Sequence, residues 1–251
     1  MQGSADSPRA CSAMADDPTF PSETRGAIAT GEGRRADAAR WRRGLLKLAV
    51  VLVMAGAAVA SFDLTIAAWF RTSRLPGDLG KAVMLSEAFA HGAGAGVILL
   101  TVWLLDLRLH GGQGRRQLLG VVAGALGGGL VTDLIKLTVD RVRPRALDFS
   151  EVQTVLGTFT AADGLGGSDL HSFPSGHSAV AAGLGCTLAM LQPRARWLFA
   201  SVAAMACFQR IVASAHYPSD VACGAAIGVA VAGLCAGLVV PPADAATPAA
   251  P

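Results

Sequence analysis

The stretch WLFASVAAMACFQRIVASAHYPSDVACGAAIGVAVAGLCAGLVV, at residues 197–240, contains the pattern from which the fold follows. Two apolar segments, 197–215 and 221–240, flank the polar junction HYPSD. Each segment approaches the roughly 20 residues that a helix needs to cross about 30 Å of hydrocarbon. The stretch therefore predicts two membrane-spanning helices joined by a polar turn at one membrane surface.

Four further apolar blocks precede this stretch, with polar segments between them. They cover residues 45–62, 88–105, 118–135 and 178–191. The last of the four is the shortest and ends before Pro193, a residue that a helix interior does not accommodate. The sequence therefore predicts an all-α fold, a polytopic membrane helix bundle of about six transmembrane helices.

The composition agrees with a membrane protein. Of the 251 residues, 52% are hydrophobic and 16% are charged, against about 25% charged in soluble globular proteins. These proportions exclude a soluble enzyme with a single core and a chain that is disordered throughout. The formal net charge of +3 is too small to indicate a nucleic-acid partner, so none is expected.

Three regions are expected along the chain. Residues 1–43 mix Pro, Gly, Ser, Asp and Arg without apolar periodicity, which is typical of a disordered tail. Residues 44–241 would form the six-helix membrane domain, and residues 242–251 a short C-terminal tail. Arg42 and Arg43 precede the first apolar block, and they fit either a twin-arginine export signal or the basic cytoplasmic flank of a first spanning helix.

The basic residues of the short loops predict the orientation of the bundle. With six helices, the N-terminal arginines, Arg115 and Arg194 fall on one side, which should be cytoplasmic together with both termini. The chain is therefore expected in the cell membrane, of the bacterial inner-membrane type. Segment 136–177 and the junction at 216–220 would lie on the outer, periplasmic side. That side also carries basic residues, against the rule, which indicates that these charges have another function.

Three polar clusters lie at ends of the apolar blocks on this outer side. They read Lys-x6-Arg-Pro, Pro-Ser-Gly-His and Arg-x5-His-x3-Asp, and their candidate site residues are Lys136, Arg143, Ser175, Gly176, His177, Arg210, His216 and Asp220. Taken singly, most have an ordinary explanation as interface anchors, a helix cap or an interfacial histidine. Arg210 is harder to explain in this way, because 13 residues of helix after Trp197 place it about 20 Å along the axis. An arginine at that depth needs an internal partner or a wet cavity.

The five cysteines give no metal signature. Their number is odd, no CxxC pair occurs, and four of them lie singly within apolar blocks. Buried thiols of this kind behave as small apolar residues. Neither a metal nor another cofactor is expected.

Taken together and in this order, the three clusters resemble the signature of the type 2 phosphatidic acid phosphatase (lipid phosphate phosphatase) superfamily, in its membrane-bound branch. The motifs cover residues 136–220, and the six-helix layout extends the similarity over most of the chain after residue 44. The sequence departs from the usual pattern at two positions. Gln209 stands where the family usually has Ser, and Ala146 stands where a second Pro is common.

The resemblance implies a role for each candidate residue. His216 would be the nucleophile that becomes a phosphohistidine, Asp220 would hold its far nitrogen, and His177 would protonate the leaving alcohol and then activate water. The phosphate would be bound by the remaining five residues, which are Lys136, Arg143, Ser175, Gly176 and Arg210. The chain would then hydrolyse a lipid phosphate or diphosphate of the phosphatidate, phosphatidylglycerol phosphate or undecaprenyl diphosphate type.

Other functions remain open from the sequence. A lipid phosphotransferase would use the same pocket, and a transporter or structural membrane protein would use Arg210 and Lys136 as an anion pathway. Arg141 and Arg145 add charge near the pocket, which would favour a diphosphate substrate, and a solvated loop face explains both arginines equally well. The sequence does not fix the oligomeric state.

Overall fold

The computed structural model describes residues 22–73, 75–109, 112–160 and 166–240, and within these ranges it is helical with no strand. An isolated parallel bridge joins Arg141 to His171. The predicted all-α fold is therefore confirmed. The α-helices, in chain order, are α1 (Ser22–Val59), α2 (Asp63–Thr72), α3 (Gly77–Leu85), α4 (Glu87–Ala90), α5 (Gly92–Leu109), α6 (Gly112–Lys136), α7 (Gly176–Leu191), α8 (Arg196–Val212) and α9 (Pro218–Val239).

Helix α1 begins well before the predicted boundary at residue 44. It starts at Ser22, so residues 22–43 are helical where the sequence predicted part of a disordered tail. Alanine and arginine dominate residues 34–43, and both are good helix formers that extend the apolar helix backwards. Residues 1–21 and 241–251, which include the predicted C-terminal tail at 242–251, lie outside the described residues.

All six predicted apolar blocks form helices, but they differ in length. Within the described ranges, three helical segments are long and apolar enough to cross a membrane: Glu32–Thr72, Arg115–Lys136 and Pro218–Val239. A fourth span results if Gly77–Ala90 and Gly92–Thr101, which meet at a bend of 69°, are counted as one. Helices α7 and α8 have 16 and 17 residues, just short of the usual spanning length.

Helix α9 is the centre of the bundle. It packs against α1, α6 and α7, and α7 packs in turn against α6 and α8. Small residues allow the close contact of α9 with α7. A methyl group at Gly224 would overlap the carbonyl oxygen of Ser175, and one at Gly228 would overlap that of Ala179. The beginning of α7 therefore lies directly against the beginning of α9.

The long segment between α6 and α7 folds back on itself. The amide of Arg141 donates to the carbonyl of Leu170 at 2.6 Å, and the amide of Ser172 donates to the carbonyl of Arg141 at 3.0 Å. The amide of Arg143 donates to the carbonyl of Asp169 at 2.8 Å. This pairing places the chain that leaves α6 beside the chain that enters α7.

Candidate active site

The three polar clusters meet at one end of the bundle. The ammonium nitrogen of Lys136 lies 3.2 Å from the position that a Cβ at Gly176 would occupy, which joins the first cluster to the second. The amide of Ser175 donates to the carbonyl of Asp220 at 3.1 Å, which joins the second to the third. Residues separated by up to 84 positions in sequence thus share one site.

The beginning of α7 forms one wall of this site. Ser175 is the N-cap residue, with extended backbone, and its hydroxyl oxygen accepts from the Ser178 amide at 3.3 Å. The Ser178 hydroxyl also lies 2.9 Å from the Ser175 hydroxyl. The first amides of a helix have no acceptor within it, and together with the helix dipole they favour an anion. The Lys136 ammonium, which also pairs with Asp133 at 3.1 Å, adds a positive charge at this point.

Two arginines of the site, Arg143 and Arg210, each have a buried Nε donor that is unused. The Nε atoms of Arg143 and Arg210 are buried and have no hydrogen-bond partner among the described residues. One other nitrogen of each is bound: Arg143 Nη2 donates to the His171 carbonyl at 3.4 Å, and Arg210 Nη1 donates to Glu87 Oε1 at 2.6 Å. Burial, followed by the charges of Arg145 and Arg210, lowers the pKa of Arg143. Unsatisfied donors on buried cations are costly, and an anion bound between them would remove that cost.

His216 is buried, with 2% of its surface exposed. Its Nδ1 lies 2.7 Å from the carbonyl oxygen of Ser172. A carbonyl only accepts, so Nδ1 carries the proton and Nε2 keeps a lone pair. Burial lowers the pKa of His216, and Asp220 offsets part of this effect. The imidazole is therefore held neutral, with its lone pair on Nε2.

Asp220 is placed differently from the role implied by the resemblance. Its Oδ2 lies 3.8 Å from Nδ1 of His216, beyond hydrogen-bond distance. The same oxygen accepts from the Ser172 hydroxyl at 2.6 Å and from the Tyr217 amide at 3.0 Å. The Ser172 carbonyl thus orients the imidazole, and Asp220 contributes a nearby negative charge while its own position is fixed by Ser172.

His177 lies one residue into α7 and is half-buried. Its Nε2 is 4.0 Å from Glu87 Oε1, and its ring centroid is 5.9 Å from that of His91. Burial and the positive charge of Arg210 lower the pKa of His177 to about 4. In the free protein this imidazole is therefore neutral, and a bound phosphate would supply the negative charge that favours its protonation.

Several residues of the site belong to none of the three sequence clusters and were not predicted. Glu87 in α4 binds Arg210, and its Oε2 accepts from Gln209 Nε2 at 3.2 Å. Gln209, which replaces the usual serine, also accepts from Arg210 at 3.1 Å. The available signal was an acidic residue at the edge of an apolar block, which in a membrane segment indicates a functional partner.

The hypothesis that Arg141 charges the pocket is wrong. Its side chain is 1% exposed and forms ion pairs with Asp63 and Asp220. Arg145 is half-exposed and pairs with Asp169 at 2.7 Å. Neither arginine is therefore a free cation available to a diphosphate.

The described part of the chain contains no group of three His, Cys, Asp or Glu side chains arranged to hold a metal ion. Cys186, Cys207, Cys223 and Cys235 are free thiols. The residues around the site supply cations, amide donors and imidazoles. These groups can bind an anion and can accept a transferred group on a histidine.

Comparisons with known proteins place this site in a family. Residues 117–241 match the PAP2 superfamily. Proteins named lipid A 1-phosphatase, from Rhizobium johnstonii and Rhizobium etli, are 38% and 36% identical over 100 residues, or 40% of this chain. The chain spans about two fifths of the length of these curated relatives, 38% and 40% respectively.

A solved structure extends the similarity of fold. It is described as the first transmembrane PAP2 type phosphatidylglycerolphosphate phosphatase from Bacillus subtilis. The similarity covers 77% of this chain and 93% of that one, with a TM-score of 0.53 and 21% sequence identity. The family match spans all three polar clusters and the helices that bring them together, so residues 117–241 of this chain belong to the PAP2 superfamily.

Proposed function

We propose that this chain is an integral-membrane lipid phosphate phosphatase that works through a phosphohistidine on His216. The observation on which the proposal rests is the pair of buried, unsatisfied Nε donors of Arg143 and Arg210 close to a neutral imidazole. A phosphate group supplies acceptors for both donors. The family membership and the relatives named as lipid phosphatases support the same reaction class.

The phosphate would be held by charge and by amide donors. Lys136, Arg143 and Arg210 supply the cations, and the two guanidinium groups suit the oxygens of a phosphate because their donors form a rigid fork. The amide of Gly176 and the hydroxyl of Ser175 complete the binding site at the beginning of α7. Removal of one such preorganised donor costs about 3–4 kcal/mol of transition-state stabilisation.

The reaction would proceed in two displacements. The Nε2 lone pair of His216 attacks phosphorus, the bond to the leaving oxygen breaks, and His177 donates its proton to that oxygen. His177, now neutral, then takes a proton from water, the resulting hydroxide attacks phosphorus, and the bond to Nε2 breaks. Inorganic phosphate is released and both imidazoles return to their starting states.

The membrane context supports a lipid substrate. The site lies at the ends of apolar helices, where a phosphate can enter while the acyl or prenyl chains stay in the bilayer. The relatives are named for lipid A 1-phosphate and phosphatidylglycerol phosphate. We propose the same class here, with phosphatidate and undecaprenyl diphosphate as further candidates, and a site on the outer face of the cell membrane.

The test measures phosphate release by the full-length protein in detergent. The panel consists of phosphatidate, phosphatidylglycerol phosphate, lipid A and undecaprenyl diphosphate, with no acceptor lipid added. We expect release from at least one substrate, acid-labile labelling of the protein by phosphate, and loss of both in His216→Ala. His171→Ala is the matched control, since its imidazole is partly exposed beside Asp140.

Two outcomes would contradict the proposal. Most activity remaining in His216→Ala would exclude that residue as the nucleophile. A requirement for an added acceptor lipid would indicate a phosphotransferase with the same pocket.

A further inference from the structure

A buried charge network lies behind His216, on the side of Asp220. Arg141 Nη1 pairs with Asp220 Oδ1, and Arg141 Nη2 pairs with Asp63 Oδ2 at 2.8 Å. Asp63 Oδ1 accepts from the Ser219 amide at 3.0 Å. All three charged side chains are at most 1% exposed. Charges buried to this extent persist only when they are paired and hydrogen-bonded.

The network contains one more carboxylate than cation. Two aspartates and one arginine leave a net charge of −1, and the nearer carboxylate, Asp220, is 3.8 Å from Nδ1 of His216. An Arg141–Asp220 pair alone would be neutral. Asp63 takes up one side of the guanidinium, so the negative charge next to His216 is not cancelled.

Arg141 is fixed in a single orientation. Its guanidinium lies over the rings of Tyr217, at 4.1 Å from the centroid, and Phe159, at 4.8 Å. Its Nε donates to the Thr158 hydroxyl at 3.0 Å. A planar guanidinium stacks on rings and presents its donors to two carboxylates in a fixed geometry, whereas an ammonium group has no plane to stack and no rigid fork of donors.

We propose that Asp63 and Arg141 are positioning residues for the nucleophile: together with Asp220 they form a buried network of net charge −1 that stabilises the cationic ring formed when His216 is phosphorylated. This inference rests on the proposed function. It extends the site to the junction of α1 and α2, because Asp63 is the first residue of α2 and lies outside the segment that matches the family.

The charge balance of the step explains the need for this network. Attack by Nε2 forms the nitrogen–phosphorus bond as the bond to the leaving oxygen breaks and that oxygen takes the proton of His177; Nδ1 keeps its proton, so the neutral His216 imidazole becomes a cation. The other charged or titratable groups that face His216 are Arg143, Arg210 and His177. None of these side chains supplies negative charge, so the Asp63–Arg141–Asp220 network is the protein's own source of compensation on the Nδ1 side of the ring, opposite the phosphoryl group.

The test compares variants that change the network's charge by known amounts. Asp63→Asn is nearly isosteric and brings the net charge from −1 to 0. We expect kcat to fall about tenfold or more with KM changed less than about twofold. The acid limb of the pH–rate profile should move to lower pH, because a less negative surrounding disfavours the His216 cation. Asp78→Asn, which alters an exposed pair with Lys81, should have neither effect.

A double variant separates charge from structure. Arg141→Met alone leaves −2, whereas Asp63→Asn combined with Arg141→Met restores −1. We expect Asp63→Asn to move the acid limb to lower pH and Arg141→Met to move it to higher pH. The acid limb of the double variant should return towards the wild-type position. A purely structural role predicts lower thermal stability in every variant with the acid limb unmoved, and that result would overturn the inference.

A direct measurement distinguishes this inference from the proposed function. Nitrogen-15 shifts of the His216 ring in the full-length protein report its protonation without any turnover. If no lipid phosphate is hydrolysed but Asp63→Asn still makes His216 harder to protonate, the proposed function fails and the charge network stands. If the wild type is active and Asp63→Asn changes neither the ring nor kcat, the network inference fails alone.

Discussion

His177 is the side chain whose charge should change most when an anion enters the site. Its pKa of about 4 reflects burial and the positive charge of Arg210 in the free protein. To protonate a leaving oxygen it must be cationic. The bound phosphate must therefore raise its pKa, and substrate binding and proton uptake become a single event.

Proton uptake on anion binding tests this coupling. Sulfate keeps a fixed charge near neutrality, so we expect its binding at pH 6 to draw a proton onto His177. Calorimetry in two buffers of different ionisation enthalpy measures that uptake. The His177→Asn variant should bind sulfate without it, and His171→Asn should behave as the wild type. Equal proton uptake in all three proteins would contradict the assignment of His177 as the acid.

Glu87 moderates the charge of the anion site. The site holds three cations, Lys136, Arg143 and Arg210, and the Glu87 carboxylate offsets one of them through its bond to Arg210. Glu87→Gln keeps an acceptor on Arg210 and removes the negative charge. A unit charge about 4 Å away is worth about 1 kcal/mol at high dielectric, so phosphate should bind about fivefold more tightly. A phosphate titration measures the affinity of Glu87→Gln, with Glu151→Gln at an exposed position as the control. Weaker binding in Glu87→Gln would show that the carboxylate instead holds Arg210 in place.

At the scale of elements, the crossing of α7 and α9 sets the geometry of the site. Gly224 allows the α9 backbone to approach Ser175, and a Cβ at that position would overlap the Ser175 carbonyl oxygen. The amide of the same serine is bound to the carbonyl of Asp220. The close contact of α7 with α9 therefore also sets the position of Ser175 relative to Asp220.

Gly224→Ala should move the beginning of α7 away from α9. We expect phosphate release to fall at least tenfold and the protein to lose about 1–3 kcal/mol of stability, the usual cost of overpacking. Gly237→Ala, in the same helix, has open space around its Cβ and should be neutral or slightly stabilising. Comparable losses of activity in both variants would attribute the effect to helix propensity and not to the close contact.

The sequence predicted the elements that follow from local patterns. Six apolar blocks became six helical regions because apolar length is a local property, and the clusters at their ends met because those ends lie on one side of the bundle. Partners supplied by distant elements were not predictable in this way. Asp63 and Glu87 reach Arg141 and Arg210 across 78 and 123 positions, and no periodicity within α2 or α4 reports such a contact.

The sequence also did not predict where helices break or extend beyond the apolar blocks. The short helices α3 and α4 precede a bend that composition does not reveal, and α1 continues into a polar segment through good helix formers. For the same reason, the sequence did not predict that the Ser172 carbonyl accepts a hydrogen bond from His216. A backbone group carries no signature in the sequence, and its position depends on the pairing of segments 141–143 and 169–172.

At the scale of the whole molecule, the charges are distributed unevenly between the two ends of the bundle. Helix α7 runs away from the site, so the turn between α7 and α8 lies at the opposite end with Arg194 and Arg196. The site end also carries basic residues, but Lys136 and Arg210 are bound to acidic side chains there. Once these paired residues are set aside, the positive-inside rule supports our proposal that the α7–α8 turn is cytoplasmic and the site is on the outer side.

Thiol labelling in cells tests this orientation. In a background with all native cysteines replaced by alanine, Ser150→Cys introduces a thiol at an exposed position in the segment between α6 and α7, and Gln192→Cys introduces one at the exposed α7–α8 turn. An impermeant maleimide should label Ser150→Cys in intact spheroplasts and Gln192→Cys only after lysis. The opposite pattern would place the site in the cytoplasm and restrict the substrate to lipids of the inner leaflet. Because the site is built from helix ends at one side of the bundle, labelling of both positions in intact cells would contradict the membrane-spanning arrangement itself.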